Sequence, residues 1–135
     1  MSDHENANPP AVSDSNTSVE DLKNEMRQFV ADRDWRQFHS PKNLSMSIAI
    51  EAAELMEHFQ WLTQPQSREL DQDSIEMAGE ELADVLCYAL AMANELGLDI
   101  ATTVRAKMEK NRSKYPAEKF RGRYGQKDLD RQENG

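Results

Sequence analysis

The chain has 135 residues, a length that suits one folded domain, and 38% of its residues are hydrophobic while 30% are charged. Its net charge of -9 argues against non-specific binding to DNA, RNA or anionic membranes, because their phosphates attract basic surfaces. No apolar run approaches the ~18 residues that a membrane span needs, and the N-terminus lacks a secretory signal, so the sequence predicts a cytoplasmic protein.

Hydrophobic periodicity and boundary residues predict four amphipathic helices, in chain order at about 18–34, 41–62, 74–96 and 100–114. Pro41 suits the first turn of the second helix, and Gly97 suits the left-handed conformation that follows the third. Residues 63–73 are interpreted as a polar connection. The helices make residues 18–116 one all-α domain, a four-helix bundle. Residues 1–17 and 117–135 are polar and are predicted to be a disordered and a flexible tail.

Two carboxylate pairs lie beside the apolar stripes of the central helices rather than opposite them. At 100° per residue, Glu51 falls about 50° and Glu54 about 110° from the centre of the second helix's stripe. Glu81 borders the third helix's stripe at about 85°, and Asp84 follows one turn later on the same flank. Four carboxylates that converge in a bundle repel one another, and a bound cation removes that penalty. The pattern therefore predicts a metal site.

Oxygen ligands without a cysteine or a pair of histidines favour Mg²⁺, with Mn²⁺ as a substitute, over zinc. A di-iron bundle would need Glu-x-x-His on two helices, whereas His58 stands four residues after Glu54 and the third helix has no histidine. His58 is interpreted as a surface or helix-end residue, and the lone Cys87 as a small core residue. A second hypothesis stays open, in which the acidic stripe belongs to a non-catalytic helical module that binds a basic partner.

Charge is unevenly distributed along the chain. Residues 43–104 contain twelve acidic residues and one basic residue, whereas residues 105–123 contain eight basic residues and two acidic ones. The centre of the chain is therefore acidic, and the segment that follows it is basic.

The sequence E-x-x-E, 26 intervening residues and E-x-x-D, followed by KMEKNRSKYP, closely resembles the MazG-like all-α nucleoside triphosphate pyrophosphohydrolases, in particular their dCTP pyrophosphatase branch. The segments DRDWRQFHSPKNL, FQW and ADVLCY are similar to that branch too, and the likeness covers roughly residues 20–116. It implies a Mg²⁺-dependent enzyme that cleaves a nucleoside triphosphate between its α and β phosphates and so cleans the nucleotide pool. It also implies a homotetramer, a dimer of dimers, or at least a dimer.

The resemblance assigns roles to particular residues. It implies that the metal ligands and catalytic residues are Glu51, Glu54, Glu81 and Asp84. The residues that match the triphosphate-binding segment are Lys107, Asn111, Arg112, Lys114 and Tyr115. The residues that match the base-binding positions are Trp35, Arg36, Gln37, Phe38, His39, Trp61 and Tyr88.

The base itself is left open by the resemblance. Aromatic planes stack on any base, so selectivity needs polar groups at the base edge, and Gln37 and His39 are the candidates. One departure is Met26, where vertebrate members of the branch carry a histidine. A related alternative in the same superfamily is hydrolysis of phosphoribosyl-ATP.

Overall fold

The computed structural model describes residues 10–124, and every regular element in that range is helical. The elements are α1 (Val19–Asp32), a 3-10 helix (Trp35–Phe38), α2 (Pro41–Glu57), α3 (Gln64–Arg68), α4 (Gln72–Leu96), α5 (Ile100–Lys114) and α6 (Ala117–Phe120). The all-α fold class is confirmed, and α1, α2, α4 and α5 correspond to the four predicted helices. Within the same range, no single helix has the length and low polarity that crossing a membrane requires.

Local capping explains where the long helices begin and end. The Ser18 hydroxyl accepts a hydrogen bond from the Asp21 N–H, and the Asp21 carboxylate accepts one from the Ser18 N–H, which is a complete capping box for α1. Ser40 caps α2 immediately before Pro41, and Asp71 caps α4. Gly97 ends α4 with a φ of 63°, as predicted from its lack of a side chain.

The second predicted helix is shorter than the pattern indicates. α2 ends at Glu57 rather than at about Leu62, and residues 58–62 form turns. The reason is a second start signal immediately downstream: Thr63 and Gln66 form a capping box that begins α3, with Pro65 in its first turn. The connection 63–73 therefore contains a short helix.

The tails that the sequence predicts are only partly described. In the N-terminal segment, residues 14–16 form a turn, and in the C-terminal segment α6 is a short helix. The predictions for residues 1–9 and 125–135 lie outside the described residues. The flexibility of both tails and the boundaries of the 18–116 domain stay predictions.

The chain divides into two compact units, one that ends at Leu98 and one that begins at Asp99. In the first unit, α4 packs against both α2 and α1. The buried core there is small and consists of Leu44 on α2 and Ala78, Ala91 and Ala93 on α4. Small side chains on α4 allow close approach of its neighbours. The second unit contains α5 and α6, and the Tyr115 ring meets the Phe120 ring edge-on at 5.2 Å.

The apolar stripe of α4 has a buried half and an exposed half. Ala78 and Ala93 are buried, whereas Ile75, Leu82 and Leu86 are 50%, 48% and 54% exposed. Their spacing of seven and then four residues puts these three side chains on one face of the helix. We call this face the α4 apolar face. The predicted apolar stripe of this helix is therefore wider than its buried part.

Candidate active site

Three carboxylates from two helices form the centre of the candidate site. Glu51 lies on α2, and Glu81 and Asp84 lie one turn apart on α4. Each offers an oxygen atom, and these oxygens all lie within 4.8 Å of one another. The packing of α2 on α4 therefore brings together three of the four acidic residues that the sequence singles out. We call these three residues the acidic group.

Glu54 lies next to the acidic group rather than inside it. Its side chain is exposed one turn after Glu51 on α2, and it is close enough to act on the Glu51 carboxyl by hydrogen bonding and by charge. Its predicted role as a metal ligand stays a prediction.

The surroundings of Glu51 make its ionised form unfavourable. A hydrogen bond with Glu54, partial burial, and the negative charges of Glu54, Asp84 and Glu81 raise the pKa of Glu51 from 4.5 to about 7. Its Oε2 atom is buried and has no hydrogen-bond partner. A divalent cation would relieve the repulsion and satisfy that oxygen, so the residues present fit a metal ion.

His58 lies beside the acidic group. It caps the C-terminus of α2, and its Nε2 atom is 3.8 Å from Glu81 Oε1. The interpretation as a helix-end residue is correct, but its orientation toward the acidic group was missed. The signal is in the spacing, because seven residues separate His58 from Glu51 and place the two only about 20° apart around a helix.

An aromatic cavity of about 490 Å³ adjoins the acidic group. Asp84 belongs to both, since it also lines the cavity. Trp35, His39 and Tyr88 form a continuous wall, with ring centroids 6.3 Å apart in each neighbouring pair. These three are the predicted base-binding residues that the structure brings together. Apolar side chains from α1 and α4 complete the lining: Leu22, Met26, Phe29 and Leu90.

The other predicted base-binding residues do not line this cavity. Gln37 donates from Nε2 to both the backbone oxygen and the carboxylate of Asp34. Arg36 forms a 3.3 Å ion pair with Glu95, and Phe38 and Trp61 are 60% and 86% exposed. Their contacts with a substrate stay predictions.

The predicted triphosphate-binding residues lie together in the second unit, on α5 and at its C-cap. Arg112 forms a 3.0 Å ion pair with Glu109, and the Lys114 ammonium lies 5.2 Å from the centre of the Tyr115 ring. Asn111 is half-buried, whereas Lys107 is exposed. The assignment of these residues to the triphosphate stays a prediction.

Two residues on the cavity wall were missed as site residues. Glu25 lines the cavity because it stands three residues after Leu22 and four before Phe29, on the same face of α1. Cys87 is half-buried there, and burial together with the charges of Asp84 and Glu25 raises the pKa of its thiol. The helical spacing from Leu22 was the signal that could have identified Glu25.

The raised pKa of Glu51 predicts a pH-dependent stability in the presence of a metal chelator. Between about pH 4.5 and pH 7 the folded chain holds more protons on Glu51 than the unfolded chain, so this residue's contribution to stability falls as the pH rises through that window. Glu51→Gln resembles the protonated acid and removes the effect. We expect the melting temperature of the variant, relative to the unaltered protein, to rise from pH 5 to pH 8. A difference that is the same at both pH values would contradict this reading.

The sequence was compared with known protein families and with named proteins, and both comparisons found relatives. The sequence model of the MazG-like family matches residues 46–126. The chain is 40% identical to dCTP pyrophosphatase 1 of Homo sapiens over 102 residues, 74% of this chain and 60% of that protein. It is 38% identical to the Mus musculus protein of the same name over 107 residues, 78% of this chain and 63% of that protein. The chain thus spans about three fifths of the length of these relatives.

A solved structure is similar over its whole length. The crystal structure of a pyrophosphatase from Archaeoglobus fulgidus is 37% identical in sequence and superposes with a TM-score of 0.69. The match covers 78% of this chain and 99% of that one. The likeness therefore extends over most of the described helices.

Proposed function

Because the chain belongs to the MazG-like family, we propose that it is a Mg²⁺-dependent nucleoside triphosphate pyrophosphohydrolase. The substrate we propose is dCTP, or dCTP with a modified base, and the products are the monophosphate and pyrophosphate. The observation that carries this proposal is the acidic group at one end of an aromatic cavity. The relatives named dCTP pyrophosphatase 1 support the choice of substrate. A cytoplasmic location and a role in cleaning the nucleotide pool are proposed with it.

The carboxylates have two tasks in this proposal. Glu51, Glu81 and Asp84 would hold Mg²⁺, with Glu54 as the further ligand that the family motif implies. Mn²⁺ offers the same preference for oxygen ligands and would substitute. When bound, the cation neutralises charge on the phosphates and on these carboxylates. One of the four carboxylates would also orient the attacking water and accept its proton.

The aromatic wall binds the base in this proposal. A nucleobase stacked on one of the rings of Trp35, His39 or Tyr88 gains about 1–3 kcal/mol per stack, and the cavity excludes water from its faces. The basic residues of α5 would offset the charge of the triphosphate and of the pyrophosphate that leaves. Because Arg112 is already paired with Glu109, Lys107 and Lys114 are the stronger candidates for that role.

A panel of nucleotides tests the function directly. Pyrophosphate release is measured from dCTP, 5-methyl-dCTP, dUTP, dTTP, dATP, dGTP and phosphoribosyl-ATP, each with Mg²⁺, with Mn²⁺ and with a chelator. We expect release from dCTP that requires the metal. Activity on phosphoribosyl-ATP alone would replace the proposed substrate, and the absence of release from every nucleotide would favour the non-catalytic module.

A homotetramer, built as a dimer of dimers, is proposed for the active form. The α4 apolar face supports it, because Ile75, Leu82 and Leu86 leave about half of their surface exposed in a single chain. A second copy that packs on this face would bury them.

The double variant Leu82→Glu, Leu86→Glu tests the assembly. We expect light scattering to give a smaller assembly than for the unaltered protein, because two charges would be buried at the interface. Val12→Glu is the matched control, since Val12 is 85% exposed and lies outside the helices. An unaltered protein that is monomeric at micromolar concentration would contradict the proposed tetramer.

A further inference from the structure

Glu25 is an acid in an otherwise largely apolar and aromatic cavity. It lies on α1 and lines the cavity together with Met26 and Phe29, and its side chain is exposed. Within residues 10–124 it makes no hydrogen bond or ion pair. The negative charge of Glu25 contributes to the raised pKa of the Cys87 thiol, so its carboxylate lies near that part of the cavity wall. An unpaired carboxylate at such a place is available to a ligand.

Among the described residues, no other carboxylate lines the cavity outside the acidic group. Asp84 belongs to the acidic group, which fixes the phosphate end of the cavity under the proposed function. His39 is a member of the aromatic wall and carries no negative charge, and its Nδ1 atom is buried without a hydrogen-bond partner. Gln37, which the sequence favours as a base reader, is held by Asp34 outside the cavity. Glu25 is therefore the carboxylate of the cavity lining that lies outside the acidic group.

An ionised carboxylate distinguishes bases by whether the base edge presents a hydrogen-bond donor or an acceptor. It can only accept hydrogen bonds, so it pairs with an amino group and is repelled by a carbonyl oxygen. Cytosine presents an amino group at position 4, whereas uracil and thymine present a carbonyl oxygen there. The same charge disfavours phosphate next to Glu25, whereas a cation bound by the acidic group would attract the phosphates there.

We propose that Glu25 is the residue that selects an amino-bearing pyrimidine, by accepting a hydrogen bond from the 4-amino group of cytosine. This inference rests on the proposed function, because it assumes that the aromatic cavity holds the base. It assigns base selection to α1 at a position next to Met26, where a thioether offers no comparable polar contact.

The test compares dCTP with dUTP, which differ in the group at position 4 of the base and in the hydrogen on the neighbouring N3. The kcat/KM for each is measured in the unaltered protein, in Glu25→Gln and in Glu25→Leu. Glu20→Gln is the matched control, since it removes an exposed carboxylate from the same helix without touching the cavity lining. Binding of dCMP and dUMP is measured by calorimetry on the same proteins, so that base selection is read without turnover.

We expect the unaltered protein and Glu20→Gln to prefer dCTP, and Glu25→Gln to lower the dCTP-to-dUTP ratio by about 10- to 100-fold. The glutamine amide can donate to a carbonyl, so the value for dUTP should rise while that for dCTP falls. Glu25→Leu should lower the value for dCTP without raising that for dUTP. Opposite changes for the two substrates cannot come from a folding defect.

The experiment distinguishes a failure of this inference from a failure of the proposed function. An unchanged ratio in Glu25→Gln, with dCTP still hydrolysed, overturns the role of Glu25 and leaves the proposed function standing. If no nucleotide is hydrolysed, the proposed function fails and the binding data decide: a dCMP preference that Glu25→Gln abolishes supports the inference. A preference that the variant retains, or no binding of either monophosphate, overturns it.

Discussion

We expect Glu51→Gln to lower kcat/KM for metal-dependent pyrophosphate release by about 10²- to 10⁴-fold. The amide has nearly the shape of the acid, but it lacks the negative charge that would hold a cation. The pKa of Glu51 is raised to about 7, and its Oε2 atom is buried without a hydrogen-bond partner. The measurement is steady-state pyrophosphate release from dCTP across a range of Mg²⁺ concentrations.

Two exposed glutamates on the same helices serve as controls for this experiment. Glu57 on α2 and Glu80 on α4 have side chains outside the acidic group, so Glu57→Gln and Glu80→Gln should leave kcat/KM unchanged. Asp84→Asn should match the loss seen in Glu51→Gln, because it alters the same group from the other helix. Full activity in both Glu51→Gln and Asp84→Asn would show that the reaction does not require the acidic group.

The helices were largely predictable because their signals are local. Capping residues and the glycine after α4 lie within a few residues of the backbone groups that they satisfy, so a single sequence reveals them. The end of α2 was misplaced because the apolar period continues through Phe59 and Leu62, while the capping box at Thr63 already starts a new helix. Two local signals competed there, and the side-chain pattern alone did not decide between them.

The candidate site was predictable only in part, because it depends on contacts between helices. Angular position identified Glu51 and Glu81 as acids beside an apolar face, and the structure brings those two together with Asp84. The family likeness gave residues 35–39 as one contiguous segment. Around the 3-10 helix, however, successive side chains point in different directions, so Trp35 and His39 reach the cavity while Gln37 does not. Only the three-dimensional structure shows which residues of this segment line the cavity.

Leu44→Ala should lower the free energy of unfolding by about 2–5 kcal/mol, which is a large share of what a small domain has. Leu44 is 1% exposed and is the largest fully buried side chain of the described residues, and the other buried core residues there are alanines. The substitution removes its packing and leaves a cavity. Thermal unfolding should show a melting temperature about 8–20 °C lower.

The same substitution should weaken metal binding while the protein is still folded. Leu44 stands seven residues before Glu51 on α2, so the two share a face, and the contact that Leu44 makes helps to hold Glu51 against α4. We expect the Mg²⁺ concentration for half-maximal activity to rise at a temperature well below unfolding. Met46→Ala is the matched control, because Met46 is 48% exposed on the same helix and should cost about 1 kcal/mol or less. Equal losses of stability in the two variants would show that Leu44 does not hold α2 and α4 together.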